Sequence, residues 1–454
     1  MNFFIQNHKK FLLLFFIFFA IIHFTCSLFL AHHRTSYFLH HDGNEYLELA
    51  ESYAEHGRLI SEKARYYETP RNVPSPEAYR LQLVSIFTGI LIFFGLSPLT
   101  AAALFSAIVA VLLAIAIYKV SEKLTGCAFA GWISLLLFSF HPIFTQLTWQ
   151  LCCEPLCALF LLYFFWLFIN NPTFSKPCLM AICISGAAYS RASTFLLFPF
   201  IAIIAFVVGI KNSKGIQDCL KSAIVRNLVI FTLTACCIAF SVGVRNYLYF
   251  QSFSIAGFEG GFGFFHGNNR YTLKAMQAEN WKEYLKMEDK SWDFTFSTIQ
   301  KLPQKDFAGH PEKQSAYMFD LAIKELKNMT FSEKVILFAR KFLHFIQPNP
   351  MTKGHHPLLY WGLTLYCSFL FLCGITGGII LWKKRKAEVW AFFSLMASGI
   401  IAYTIFMINM RYRIPYIDLA CIILAGGISL KLPAIKNFIL KHKIKFNRNT
   451  AGQQ

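Results

Sequence analysis

Six charged residues stand out in this 454-residue chain because apolar sequence surrounds them. Asp42 lies in HHDGNEYLELAESYAEHG, Glu154 in HPIFTQLTWQLCCEP and Arg191 in AAYSRASTFLLFPF. Arg245 lies in SVGVRNYLYFQSF, and Arg411 and Arg413 share MRYRIPYI. Ionisable groups beside hydrocarbon are costly and mark functional sites by default. A carboxylate takes a proton from an attacking hydroxyl. Guanidinium groups bind phosphate in bidentate fashion and stabilise an anionic leaving group where its charge develops. Two carboxylates and several arginines facing one cavity suit sugar transfer from a lipid phosphate. Such a donor arrives in the bilayer, so no soluble nucleotide-sugar pocket is required.

Each residue also has a purely structural reading. Asp42 and Glu45 have capping-box spacing, with Asp in place of Ser or Thr. Glu154 precedes Pro155, and an acid in a first turn suits the helix dipole. Arg191 on a cytoplasmic turn would be an ordinary topology signal. His40 and His41 flank Asp42 but lack a spaced partner, so no metal site is assigned; a divalent metal has no support in the sequence. The stretch Gly257 to Gly267 has no Walker or dinucleotide pattern and reads as a flexible outer loop.

The elements that must position these residues are membrane helices. The chain is 56% hydrophobic and only 15% charged, against roughly 25% charged in soluble proteins. The apolar residues come in runs, and about 18 in a row is enough for a spanning helix. The net charge is +19, carried largely by short loops and the tail. That pattern is topology, not a nucleic-acid surface. The 13 cysteines fall mostly inside apolar runs, with no disulfide or zinc framework.

Placing the basic loops inside predicts an all-α integral membrane protein of about ten spans. They run at roughly 11–30, 98–118, 127–146, 154–170, 177–190, 194–210, 226–244, 358–382, 388–408 and 414–430. The first is read as an uncleaved helix. Leu81 to Phe94 is too short to span and is laid along the outer surface. The expected organisation is a transmembrane module at 1–244 with a first outer loop at 31–97. An extracytoplasmic segment follows at 245–357, then helices at 358–430 and a basic cytoplasmic tail at 431–454. Amphipathic surface helices are expected in both outer segments. In the second, Ile336, Ala339, Phe342, Leu343 and Ile346 lie near one side. All six charged candidates fall on the outer face.

Six segments in order resemble the GT-C polytopic glycosyltransferases, in particular protein mannosyltransferases and lipid A aminoarabinose transferases. DGNEYLELAESYAEHG is similar to their first outer segment, and GLSPLTAAALFSAIVAVLLAIAIYKVSEKLTG to the stretch leading into the next basic turn. HPIFTQLTWQLCCEPL, YSRASTFLLFP, VRNYLYFQSFSIAGFEGGFGFFHGNN and RYRIPYI resemble later family segments, over about residues 40 to 430. PSPEAYRLQL lacks the Tyr-Pro pair common in the family, and Ala192 replaces a common Pro. The resemblance implies a membrane glycosyltransferase with a polyprenyl-phosphate sugar donor, acting on a lipid, glycan or protein acceptor. Asp42 and Glu154 would be the catalytic acids, and Arg191, Arg245, Arg411 and Arg413 would bind the donor phosphate. A bacterial inner membrane, with the site facing the periplasm, is the expected location. A transporter or flippase for a lipid-linked anion is the alternative from a different class.

Overall fold

The computed structural model describes residues 2–40, 42–61, 75–79, 83–169, 175–212, 223–347, 357–407 and 409–431. The expected tail at 431–454 lies almost wholly outside these residues, as does His41.

Apolar runs set the helices, and Pro and Gly set many of their ends. The first part of the chain contains α1 (Asn2–His33), α2 (Thr35–Phe38), α3 (Gly43–His56), α4 (Leu83–Phe93), α5 (Pro98–Thr125) and α6 (Ala128–Ser139). Then come α7 (Pro142–Trp149), α8 (Glu154–Phe168), α9 (Pro177–Ser190), α10 (Leu197–Asn212) and α11 (Ala223–Phe250). Proline occupies the first turn of α5, α7, α8 and α9, where its missing N–H costs nothing. Gly57 and Gly126 close α3 and α5 in the left-handed conformation, at φ 65° and 73°, which glycine adopts without a Cβ penalty. A short antiparallel pair, β1 (Ile60–Ser61) with β2 (Ser75–Pro76), closes the loop after α3.

The segment after α11 is also helical. It comprises α12 (Gly260–Gly267), α13 (Arg270–Gln277), α14 (Trp281–Gln300), α15 (Gln304–Phe307), α16 (Pro311–Asn328) and α17 (Phe331–Ile346). The chain then re-enters the bundle through α18 (Pro357–Trp382), α19 (Lys386–Ile405) and α20 (Leu419–Ala425). Short 3-10 and π turns flank α20 and extend it into one helical stretch, Arg411–Lys431.

Seven of these helical stretches are long and apolar enough to cross a membrane, counting the described residues. Each of the ten predicted spans coincides with helix, but three are not single long helices. The span expected at 127–146 is the pair α6 and α7, bent by 73° at His141-Pro142. Helices α8 and α9 have 15 and 14 residues, short of the roughly 20 of a simple crossing. Helix α8 is packed on nearly every side, with twelve of its residues buried. It lies inside the bundle, where protein and not lipid satisfies its ends.

The last stretch is the centre of the bundle: 83% of its most apolar window is buried, against 17% for α1 and for α11. Small residues let it approach α18. A Cβ on Gly377 would overlap the carbonyl of Leu424, and one on Gly374 would press on Cys421. Close backbone approach through small residues is a common way for helices to associate in lipid.

One local expectation is corrected. The glycine-rich stretch expected as a flexible loop forms α12, with Phe262, Phe264 and Phe265 buried. Its glycines serve contact: a Cβ on Gly261 would overlap the Ser315 carbonyl, and one on Gly267 the Phe406 carbonyl. Helix α17 is amphipathic, as expected. It buries Leu337, Lys341 and Phe345 and exposes Ile336, Ala339, Phe342 and Leu343. Contacts with α13 and α19 claim the narrower stripe, leaving the broader apolar side outward.

Candidate active site

Four of the six candidates meet at one end of the bundle. Asp42 follows α2 at the mouth of α3, Glu154 opens α8, Arg191 closes α9, and Arg411 follows α19. Arg411 joins the two acids. Its Nη2 donates to Asp42 Oδ2 at 2.9 Å, and its Nε lies 3.3 Å from Glu154 Oε1. Arg191 Nη1 donates to the same Glu154 oxygen at 2.5 Å. Glu154 is fully buried, and the two arginine side chains are about nine-tenths covered.

The geometry bears on the capping reading of Asp42. Asp42 is the N-cap residue of α3, but its side chain makes no capping hydrogen bond. Its carboxylate is turned to Arg411, 369 residues along the chain. Glu154 likewise does more than sit in a first turn, since two guanidinium groups converge on it.

Hydroxyls and rings hold Arg191 in place. Its Nε donates to Tyr403 Oη at 3.0 Å, and its guanidinium carbon lies 3.9 Å from the centre of the Tyr412 ring. Ser193 Oγ is 2.7 Å from Tyr403 Oη and 2.6 Å from Tyr416 Oη, and Thr194 Oγ1 is 2.9 Å from Tyr416 Oη. The 3-10 turn Ala192–Leu196 brings both hydroxyls under the arginine. With Ala at 192 the turn still forms, so proline is not needed there.

The cluster forms one wall of a cavity of about 410 Å³. Asp42, Arg191 and Arg411 line it, with Tyr46, Tyr403 and Tyr412 beside them. Phe195, Leu196, Phe262 and Phe406 add apolar lining, and Glu259 adds a further carboxylate. One donor of Arg411, Nη1, is buried with no hydrogen-bond acceptor among the described residues. Unmade hydrogen bonds of a buried cation are expensive and call for an explanation.

A match among solved structures supplies the fold. The chain aligns over 94% of its length with the oligosaccharyltransferase of Archaeoglobus fulgidus, at 14% identity and a TM-score of 0.53. The chain shares the fold of that enzyme and spans 52% of its length. A second solved structure, ArnT from Cupriavidus metallidurans bound to undecaprenyl phosphate, matches at 15% identity over 91% of this chain and 77% of that one, with a TM-score of 0.37. No family model and no curated protein sequence matches the chain.

Within this fold, the other two arginines lie elsewhere. Arg413 is fully buried behind the cluster. Its Nε donates to Asp418 Oδ2 at 3.1 Å and its Nη1 to the Gln347 carbonyl at 2.5 Å. His141 Nε2 lies 3.5 Å from the same carboxylate. Arg413 therefore braces the bundle and does not line the cavity. Arg245 donates to Asn246 Oδ1 at 2.8 Å and lies over the Tyr249 and Phe250 rings. It also lies outside the cavity lining. Asn246 beside it accounts for that end of α11, donating to the carbonyls of Ser254 and Ala256.

Sequence reasoning missed Tyr403, Ser193, Glu259 and the Asp418–His141 pair. Ser193 and Asp418 carried a weak signal, as polar residues within two and five positions of chosen arginines. Tyr403 carried none, because a tyrosine in an apolar helix reads as core. No group of three or more metal-ligating side chains occurs among the described residues.

Proposed function

We propose that the protein is a membrane glycosyltransferase that moves a sugar from a polyprenyl-phosphate donor to a hydroxyl-bearing acceptor. The observation that carries this reading is Arg411: a nearly buried guanidinium on the cavity wall, tied to two carboxylates, with its Nη1 lacking an acceptor among the described residues. A lipid-linked phosphate supplies that acceptor. The apolar lining of the cavity suits the first isoprene units, and the polar lining suits a sugar.

In this reading Arg411 and Arg191 hold the donor phosphate and take up the charge that develops as the glycosidic bond breaks. Phosphate binding draws Arg411 away from Asp42. The carboxylate is then free of its guanidinium partner. Asp42 accepts the acceptor's proton. Glu154 keeps the two arginines together and stays ionised beside them. The site faces the extracytoplasmic side, as the basic loops require, and the membrane is a bacterial inner membrane. The outer segment after α11 is extracytoplasmic, and its Gly257, Glu259 and Phe262 line the cavity.

The test is Asp42→Asn against wild type, both reconstituted with polyprenyl-phosphate sugars and followed by mass spectrometry of lipid-linked and transferred sugar. Loss of a general base costs about 10²- to 10⁴-fold, so turnover falls by at least about 100-fold while the variant remains folded. Full turnover in Asp42→Asn would remove Asp42 from the chemistry. A wild type that changes no lipid-linked sugar pool would remove the transferase reading and favour transport of a lipid-linked anion.

A further inference from the structure

Arg411 lies in the 3-10 turn Met410–Arg413 that opens the last helical stretch, and Asn409 Oδ1 accepts from its backbone N–H at 3.1 Å. Helix α19 ends shortly before it, at Ile405, and the outer helices hold that end. Asn268 Nδ2 donates to the Ile405 carbonyl at 2.8 Å. Lys341 Nζ donates to the same carbonyl at 3.2 Å and to Asn268 Oδ1 at 3.1 Å. The three groups close a small polar ring at the exit of α19. Gly267 lies flat against the Phe406 carbonyl, where a Cβ would not fit. One turn further along α17, Phe345 stacks on Tyr403 with centroids 5.2 Å apart. Met407 lines both the anion cavity and a cleft beside Lys341.

Lys341 is a costly residue for this place. It is fully buried between Leu337 and Phe345, on the inward stripe of a helix whose other apolar residues face out. Burial lowers its pKa to about 7. The ionisable groups around it are His266 on α12, Tyr284 and Glu288 on α14, and Arg340 and His344 on its own helix. A methionine or leucine would fill the stripe without the desolvation penalty. What lysine adds is one hydrogen bond to the Ile405 carbonyl and one to Asn268, which bonds the same carbonyl.

We propose that Lys341 is a positioning residue, which fixes the Ile405 carbonyl and so aims Arg411 into the anion cavity. The proposal rests on the reading of that cavity as the lipid-phosphate site. It makes the outer segment part of phosphate recognition, with α17 acting through the backbone of α19.

The test measures binding of undecaprenyl phosphate to wild type, Lys341→Met, Lys341→Arg, Arg411→Ala and the double variant Lys341→Met/Arg411→Ala. Melting temperature serves as the control for folding. A misplacement of about 1 Å is enough to cost up to about 100-fold, so Lys341→Met is expected to weaken binding by about tenfold or more. Its melting temperature stays near that of wild type. Lys341→Arg, which keeps the donors, restores most of the affinity. On the Arg411→Ala background Lys341→Met has little further effect, because the group it aims is gone. If Arg411→Ala weakens binding but Lys341→Met does not, or if the two losses simply add, the positioning role falls and the phosphate site stands. If Arg411→Ala itself leaves binding unchanged, both fall.

Discussion

Glu154→Gln separates a buried ionic cluster from a surface one. The substitution keeps shape and removes one negative charge that two guanidinium groups share. Removing one partner of a buried ion pair costs about 3–5 kcal/mol, because it strands the other charge. The lower part of that range applies here. Arg411 keeps Asp42, while Arg191 keeps the Tyr403 hydroxyl and the Tyr412 ring. At about 2 °C per kcal/mol for a large chain, the melting point should drop by roughly 6–8 °C. The control is Glu122→Gln. Its pair with Lys119 has a similar 2.9 Å contact but is much more exposed, so it should cost at most about 0.5 kcal/mol. The assay is thermal unfolding of detergent-solubilised protein, followed by fluorescence-detected size exclusion. Undecaprenyl phosphate should restore part of the loss in Glu154→Gln, since an anion replaces the missing charge, and should do nothing for Glu122→Gln. The reasoning is refuted if Glu154→Gln melts within about 1 °C of wild type.

Asp418→Asn strands the fully buried Arg413, so it should destabilise by about 3–5 kcal/mol; the affinity for undecaprenyl phosphate, measured on protein that remains folded, should not change. Tyr403→Phe removes the acceptor for Arg191 Nε and should cost about 1–3 kcal/mol of stability, with weaker lipid-phosphate binding than a tyrosine-to-phenylalanine change away from the cavity. Gly267→Ala forces a methyl group against the Phe406 carbonyl and should cost about 1–3 kcal/mol, seen as a lower melting point and poorer binding together. The outer helices should also respond to pH. Lys341 titrates near 7 when folded against 10.5 when free, and burial holds His266 down at about 3 against 6.5. In both windows the unfolded state binds more protons, so stability rises with pH from about 3 to 6.5 and again from about 7 to 10.5. Hydrogen exchange in α12 and α17, corrected for intrinsic rates, should slow relative to α5 as pH is raised through these ranges. Equal protection at pH 5 and pH 9 would contradict it.

The sequence determined the bundle because apolar runs, prolines and glycines act locally. Hydrocarbon-length runs become helices wherever they fall, and Pro142, Pro155 and Pro177 fix helix starts within one turn. It also determined that Asp42, Glu154, Arg191 and Arg411 lie at helix ends, since each interrupts or borders an apolar run. Partnership was another matter. Arg411 and Arg413 are two residues apart and look equivalent in RYRIPYI. The 3-10 turn at Met410–Arg413, passing into the π turn at Ile414–Asp418, sends one to the cavity and the other to Asp418. The apolar residues of α17 showed that it has a lipid-like stripe. Only packing against α13 and α19 decided that this stripe faces out and that Lys341 faces in. Helix periodicity is a property of neighbours in sequence, whereas the choice between two faces, or two arginines, depends on groups hundreds of residues away.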